Sequence, residues 1–217
     1  MSERRIVRFA FRERIVHLFV AVSYVYLLLT GLAFWTPALY WIAIVFGGGF
    51  LSRLLHPWVG VIYAVVVFRM FVMWRADMKT TGVDRRWRKA MGHYIRNEDD
   101  RVPPVGRFNF GQKQLFWIMV WAALALLLSG LVLWFPESIP ASMRAVREAA
   151  VLVHAVGALV TIAAFIVHLY MGLFVVPGGL HAIVHGDVTE RWAREHHALW
   201  LETQAGSVPD AERDARR

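Results

Sequence analysis

The sequence predicts an all-α membrane protein in which four helices form one bundle. Three observations carry that prediction. Hydrophobic residues fill 58% of the 217 positions and charged residues only 18%, and mean hydropathy is +0.46. Four apolar segments, at about 15–36, 53–75, 113–135 and 149–176, are each long enough to cross a hydrocarbon core of roughly 30 Å. Lys and Arg crowd into some connections and nearly avoid others. Helices of this number and length make one bundle, so residues 1–217 read as a single integral membrane domain with a tail at 177–217.

The first span follows Arg4, Arg5 and Arg8, the basic start of a secretory signal. Phe34, Trp35 and Thr36 stand where cleavage needs small residues, and the apolar stretch exceeds a signal core, so the segment reads as a retained helix. Pro37 and the run Gly47-Gly48-Gly49 then break the chain. Pro57 suits the first position of the second helix, where a missing N–H would be unpaired anyway; that puts His56 at the helix mouth. The loop from Arg75 to Gln112 is too long for a turn and is expected to have its own role or partner. After the fourth span, Pro177-Gly178-Gly179 ends the helix and the apolar stretch LHAIVHG follows. The polar tail beyond Trp200 is expected to be mobile. Trp35, Trp41, Trp58, Trp74, Trp117 and Trp134 fall at span ends, as an aromatic belt does. No internal repeat is strong enough to claim duplication.

A net charge of +8 raises the question of nucleic acid, and its distribution argues against it. Five arginines precede the first span and nine Lys/Arg lie between Lys79 and Lys113, whereas the other two connections hold only Arg53, Arg144 and Arg147. The positive-inside rule therefore places both termini and the long loop of a multi-pass protein in the cytoplasm. The remaining basicity suits anionic lipid. With no cysteine in the chain, iron–sulfur ligation and disulfides are excluded, and a bound redox metal is left with His or Met.

His154 and His168 lie fourteen residues apart in VLVHAVGALVTIAAFIVHLYMG. That is almost four helical turns, so both leave one face, about 21 Å apart along the axis. His17 begins the first span and His56 the second. Topology then sorts the four into two levels: His56 with His154 near the periplasm, His17 with His168 near the cytoplasm. Opposed imidazoles can be the axial ligands of a six-coordinate haem, and two levels make two stacked haems. Gly60, Gly157 and Gly172 lie three or four residues from a histidine on its own helix face, where a flat macrocycle needs room. Gly31 and Gly130 fall near the periplasmic level. Any one of these histidines can instead be hydrogen-bonded glue between helices, and the glycines can be packing residues. Arg69, near the cytoplasmic end of the second span, either snorkels to the interface or pairs with a haem propionate. The other five histidines lie outside the spans and read as surface or interfacial.

Before the third span the chain reads GRFNFGQKQLFW. Asn109, Gly111 and Gln112 place two amides and an exposed backbone N–H at the level of His17 and His168. Such groups can hydrogen-bond a quinone carbonyl. Helix capping by Asn109 explains them equally well.

Taken together, RIVHLFVAVSY, RLLHPWVG, FNFGQKQLFW, LVHAVGALVTIAAFIVHLYMG and GDVTERWAREHH resemble the gamma (cytochrome b) subunit of membrane-bound respiratory formate dehydrogenases over nearly the whole chain. The resemblance implies two b-type haems, His56 and His154 holding the periplasmic one and His17 and His168 the cytoplasmic one. It implies a quinone, menaquinone or ubiquinone, near His168, Asn109, Gly111 and Gln112. It also implies an iron–sulfur beta subunit, a molybdenum- or tungsten-containing alpha subunit that oxidises formate outside, and a trimer of heterotrimers. The subunit then carries electrons inward and does no formate chemistry itself. Two rivals stay open: the cytochrome b subunit of a nickel–iron hydrogenase or related reductase, and a haem-free transporter whose intramembrane histidines bind metal ions or relay protons.

Overall fold

The computed structural model of the chain describes residues 3–96 and 98–206. Its elements are β1 (Arg5–Val7), α1 (Phe11–Trp35), α2 (Trp41–Val45), α3 (Gly49–Trp74), α4 (Gly82–Ile95), α5 (Phe110–Trp134), α6 (Arg144–Tyr170), α7 (Gly179–His185), β2 (Asp187–Thr189), α8 (Glu190–His196) and α9 (Ala198–Gly206). A π turn, Met171–Val175, closes α6. The chain divides into two compact units, one of Arg12–Met73 with Trp117–Val167, the other of Met1–Phe11, Trp74–Phe116 and His168–Arg217.

The first unit is built from α1, α3, α5 and α6, four helices long and apolar enough to cross a membrane. The helices have 25, 26, 25 and 27 residues, or about 37–40 Å at 1.5 Å per residue. Their common core is narrow: Tyr24, Tyr63, Val67 and Ala123 are buried, with Leu27, Met119 and Phe165 packed around them. Val22, Val65, Phe68 and Trp121 on the outer faces are each more than 60% exposed. Helices that are apolar all round belong in lipid, where every backbone group is satisfied within the helix. The chain is a multi-pass membrane protein.

The helices begin earlier than the apolar segments. α1 starts at Phe11 and runs through Arg12, Glu13 and Arg14, because backbone hydrogen bonds continue past the point where hydropathy drops. The same effect corrects the reading of Pro57. Gly47 and Gly48 take positive φ, 84° and 95°, and turn the chain sharply into α3, which starts at Gly49. His56 and Pro57 therefore stand inside the helix rather than at its mouth. The proline removes one i−4 hydrogen bond there, and the helix carries on.

In the second unit β1 pairs antiparallel with β2, Arg5 opposite Thr189. Ala182, Val188, Ala193 and Trp200 form a small core with Ile6, Phe9, Trp192 and Leu201. The long loop contains α4, opened by a capping box between Thr81 and Asp84. Its three-residue period buries Asp84, Trp87 and Ala90 and exposes Arg85, Arg86, Arg88 and Lys89. Lys113 donates to Asp84 at 2.8 Å, and both side chains are buried. Burial alone would raise the Asp84 carboxyl, but the bonds from Lys113 and Thr81 outweigh it and hold the group below its usual range.

The tail is ordered past Trp200, through α9 to Gly206; residues 207–217 lie outside the described residues. Two contacts hold this segment that no local signal announces. Leu199 N–H donates to Val105 O at 3.1 Å. His197 is 2% exposed; its Nδ1–H donates to Gly106 O at 2.7 Å and its Nε2 accepts from Arg8 at 3.0 Å. The Arg8 guanidinium lies 4.9 Å from the Trp200 ring centre and 5.2 Å from that of Trp192.

Candidate functional site

His56 on α3 and His154 on α6 face one another in the membrane unit, with ring centres 6.5 Å apart. A ligating histidine nitrogen stands about 2 Å from its metal, so two imidazoles on opposite sides of one ion have ring centres roughly 6 Å apart. The observed spacing leaves room for one metal ion between the two rings.

Each ring is oriented from behind by a hydroxyl on a neighbouring helix. Thr30 Oγ1 on α1 lies 2.7 Å from His56 Nδ1 and 2.8 Å from its own helix carbonyl at Tyr26. Ser129 Oγ on α5 lies 3.0 Å from His154 Nδ1 and 2.7 Å from the carbonyl of Ala125. A hydroxyl has one proton, and giving it to the helix carbonyl leaves the oxygen lone pair facing the imidazole. Nδ1 then carries the ring proton on both histidines, and Nε2 is the nitrogen with a lone pair to give. Thr30 and Ser129 are 0% and 5% exposed, so water does not compete for these bonds. This outer support is the kind that fixes tautomer and ring angle at metal sites.

Glycine clears space beside both rings. A Cβ on Gly31 would stand 3.7 Å from His56 Cε1, and one on Gly130 would stand 3.2 Å from His154 Cε1. The expectation that these two lie at the level of the pair is met. Gly60 and Gly172 border open space, whereas a Cβ on Gly157 would lie 3.3 Å from Leu126, a close packing contact between α6 and α5. The edge of Phe34 closes on His56 with ring centres 5.6 Å apart.

The chemistry of this donor set is narrow. Among the described residues no group of three or more His, Cys, Asp or Glu is arranged to hold a metal ion. Two opposed imidazoles suit a metal that brings its own four in-plane ligands, which a haem does.

His17 is half-buried on α1, and His168 is exposed three residues before the π turn that follows α6. The two fall in different units. Arg69 is exposed on α3, thirteen residues beyond His56, about 20 Å along the helix and so remote from the pair. Asn109 and Gln112 form a reciprocal capping box at the start of α5. Asn109 N–H donates to Gln112 Oε1 at 2.9 Å, and Gln112 N–H donates to Asn109 Oδ1 at 2.9 Å. The capping explanation left open by the sequence is thus realised. It occupies both amide oxygens, so the carboxamide N–H groups, with Gln112 exposed and Asn109 buried, are what a ligand can meet. A Cβ on Gly111 would sit 3.4 Å from Asn109 Oδ1 and 3.7 Å from Trp87.

Thr30 and Ser129 escaped the sequence reading, although a signal exists. LLLTGLAFW at 27–35 and LLLSGLVLW at 126–134 repeat a hydroxyl followed by a glycine at matching positions of two helices. Each couplet supports and clears one histidine of the pair. A hydroxyl in an apolar helix ordinarily bonds its own helix, as these also do, and that hides the second role.

Four membrane-length helices around an opposed, hydroxyl-supported histidine pair define a helical membrane cytochrome. The chain belongs to the prokaryotic cytochrome b561 family, whose model matches residues 8–186. Membership carries haem b and membrane electron transfer. The chain is 35% identical over 196 residues to the formate dehydrogenase cytochrome b556(fdo) subunit of Escherichia coli K12, covering 90% of this chain and 91% of that one. It is 30% identical over 199 residues to the nitrate-inducible formate dehydrogenase cytochrome b556(Fdn) subunit of the same organism, covering 92% and 91%. The formate dehydrogenase cytochrome b556 subunit of Haemophilus influenzae is 30% identical over 200 residues, 92% of this chain and 83% of that one.

Proposed function

We propose that this chain is the di-haem membrane subunit of a formate dehydrogenase complex, passing electrons from a periplasmic iron–sulfur partner to quinone at the cytoplasmic face of a bacterial inner membrane. The observation that carries the reading is the His56–His154 pair, with its spacing and its two matched hydroxyls. His56 and His154 would be the residues that hold a haem b, which would supply a one-electron carrier there. Thr30 and Ser129 keep the Nδ1 protons in place and so present Nε2 of His56 and His154 toward one ion. His17 and His168 are assigned to a second, cytoplasmic haem by their sequence register and by the resemblance, and Arg69 to a propionate at that level.

Quinone is assigned to the Asn109–Gln112 segment with His168. The Gln112 carboxamide donates to a quinone carbonyl while its oxygen caps α5, and protons come from cytoplasmic water. Electrons moving inward and protons taken up inside would contribute to the proton-motive force. The names of the relatives, subunits of formate dehydrogenases, support other catalytic subunits as partners; that these are an iron–sulfur subunit and a molybdenum- or tungsten-bearing one, assembled as a trimer of heterotrimers, is assigned by the resemblance alone.

Purifying the intact complex, identifying its subunits and recording a reduced-minus-oxidised spectrum tests the reading. Two b-type haems per chain with a formate-oxidising partner are expected. Hydrogenase subunits in the complex would replace the donor, and no b-type absorbance would leave the metal-ion or proton transporter. Replacing Gln112 with Ala is expected to weaken a quinone-analogue inhibitor while both haems stay; unchanged inhibitor affinity would remove Gln112 from the pocket.

A further inference from the structure

Tyr24, Tyr63 and Thr161 converge at the centre of the membrane unit. Tyr24 and Tyr63 are 6% and 4% exposed, with ring centres 5.9 Å apart, and Tyr24 packs on Phe165 of α6 at 4.9 Å. Neither phenol oxygen has a hydrogen bond of ordinary geometry among the described residues. Thr161 is 2% exposed, lies beside the Tyr24 hydroxyl, and gives its own proton to Ala158 O at 2.8 Å. It is thereby left as an acceptor.

Register adds a second, independent observation. Tyr24 is seven residues beyond His17 on α1, Tyr63 seven beyond His56 on α3, and Thr161 seven beyond His154 and seven before His168 on α6. Seven residues make nearly two full turns, about 10 Å of rise with little change of face. Three helices thus each carry a buried hydroxyl two turns from a proposed haem ligand, all meeting in one layer. A phenol O–H buried without a partner costs about 1–3 kcal/mol. Tyr63 has no such partner at membrane depth, and Tyr24 has only the Thr161 oxygen beside it; the layer points to a bound group with oxygen lone pairs.

We propose that Tyr24, Tyr63 and Thr161 form a water-binding layer midway between the two haem levels, and that this layer tunes the haem potentials; the second half of this rests on the haem reading above. Buried water typically makes about three hydrogen bonds to groups that the protein leaves unsatisfied, and this layer supplies two phenols and a threonine oxygen. The same O–H dipoles stand two turns from either level and act on the charge held there, with little screening in so dry a place. Tyr24 and Tyr63 are positioning residues on this view, neither ligands nor electron carriers.

The test uses the intact complex. A high-resolution structure is expected to show a solvent oxygen within hydrogen-bond distance of both phenols. The Tyr24→Phe and Tyr63→Phe variants keep the packed ring and remove only the O–H. Both are expected to retain wild-type haem absorbance while the redox titration of at least one haem shifts by threefold or more in its reduction equilibrium, about 28 mV for one electron. Thr161→Val, which keeps its shape, is expected to shift it in the same sense. Phenols bonded to each other, to a helix carbonyl or to a haem carboxylate, with no solvent oxygen, would overturn the proposal. So would titrations that superimpose on wild type in both Phe variants. Absence of b-type absorbance in the wild-type complex is a separate outcome: it removes the haem reading and with it the tuning, and the structure then decides the water site alone.

Discussion

Replacing Thr30 with Val separates the hydroxyl support from everything else that holds His56. Valine has nearly the same shape, so packing at this fully buried position is kept and only the acceptor 2.7 Å from Nδ1 is lost. The Nδ1–H is then left without a partner in a dry place, which costs about 1–3 kcal/mol. Loss of an outer-shell partner typically weakens metal binding 10–100-fold, equal to about 1.4–2.7 kcal/mol, so two independent scales agree. Transfer of haem to an excess of a competing apo-haem protein, followed by absorbance, reads the effect. The haem proposed between His56 and His154 is expected to leave at least tenfold faster, with the haem proposed at the cytoplasmic level unchanged as an internal control. Ser129→Ala should act in the same sense but more weakly through His154, whose ring also bonds the Leu126 carbonyl, and Thr30→Ser should restore wild-type behaviour. Haem retention within twofold of wild type in both Thr30→Val and Ser129→Ala would refute the assignment of Nδ1 as the supported nitrogen.

Other outcomes follow from the same geometry. Gly130→Ala puts a methyl 3.2 Å from His154 Cε1 and should displace the ring, changing or losing the haem signal, whereas Gly31→Ala at 3.7 Å is ordinary contact and should be tolerated; equal spectra for the two would count against the clearance role. Lys113→Met strands the buried Asp84 carboxylate and should destabilise the α4 segment by about 3–5 kcal/mol, read as faster proteolysis there, with Asp84→Asn added to Lys113→Met milder than Lys113→Met alone. His197 is held well below its usual range, first by burial and then by the nearby Arg8 cation, so it is neutral when folded. Below about pH 6.5 the unfolded chain takes up a proton that the folded chain refuses. Protection of α8 and α9 from hydrogen exchange should therefore fall from pH 7.5 to 5.5, by up to about 1.4 kcal/mol per pH unit, and a pH-independent pattern would contradict a neutral, buried His197.

What was legible in the sequence was whatever depends on one helix at a time. Apolar length located four spans, and a spacing of fourteen set His154 and His168 on one face of α6. Those properties follow from hydropathy and from 3.6 residues per turn, and neither needs a neighbour. Boundaries were less legible, since hydrogen bonding carries a helix past its apolar part; hence the start of α3 at Gly49 and the internal Pro57.

The supporting residues depend on distance through space. Thr30 lies 26 residues from His56 and Ser129 25 from His154, and only the packing of α1 on α3 and of α5 on α6 makes them neighbours. The mid-membrane layer of Tyr24, Tyr63 and Thr161 draws on three helices, and the ordered tail depends on Val105 and Arg8, 94 and 189 residues from their partners Leu199 and His197. A sequence lists which side chains can ligate or donate. Which nitrogen keeps its proton, and which hydroxyl is left seeking a partner, is decided when the helices close around them and exclude both water and lipid.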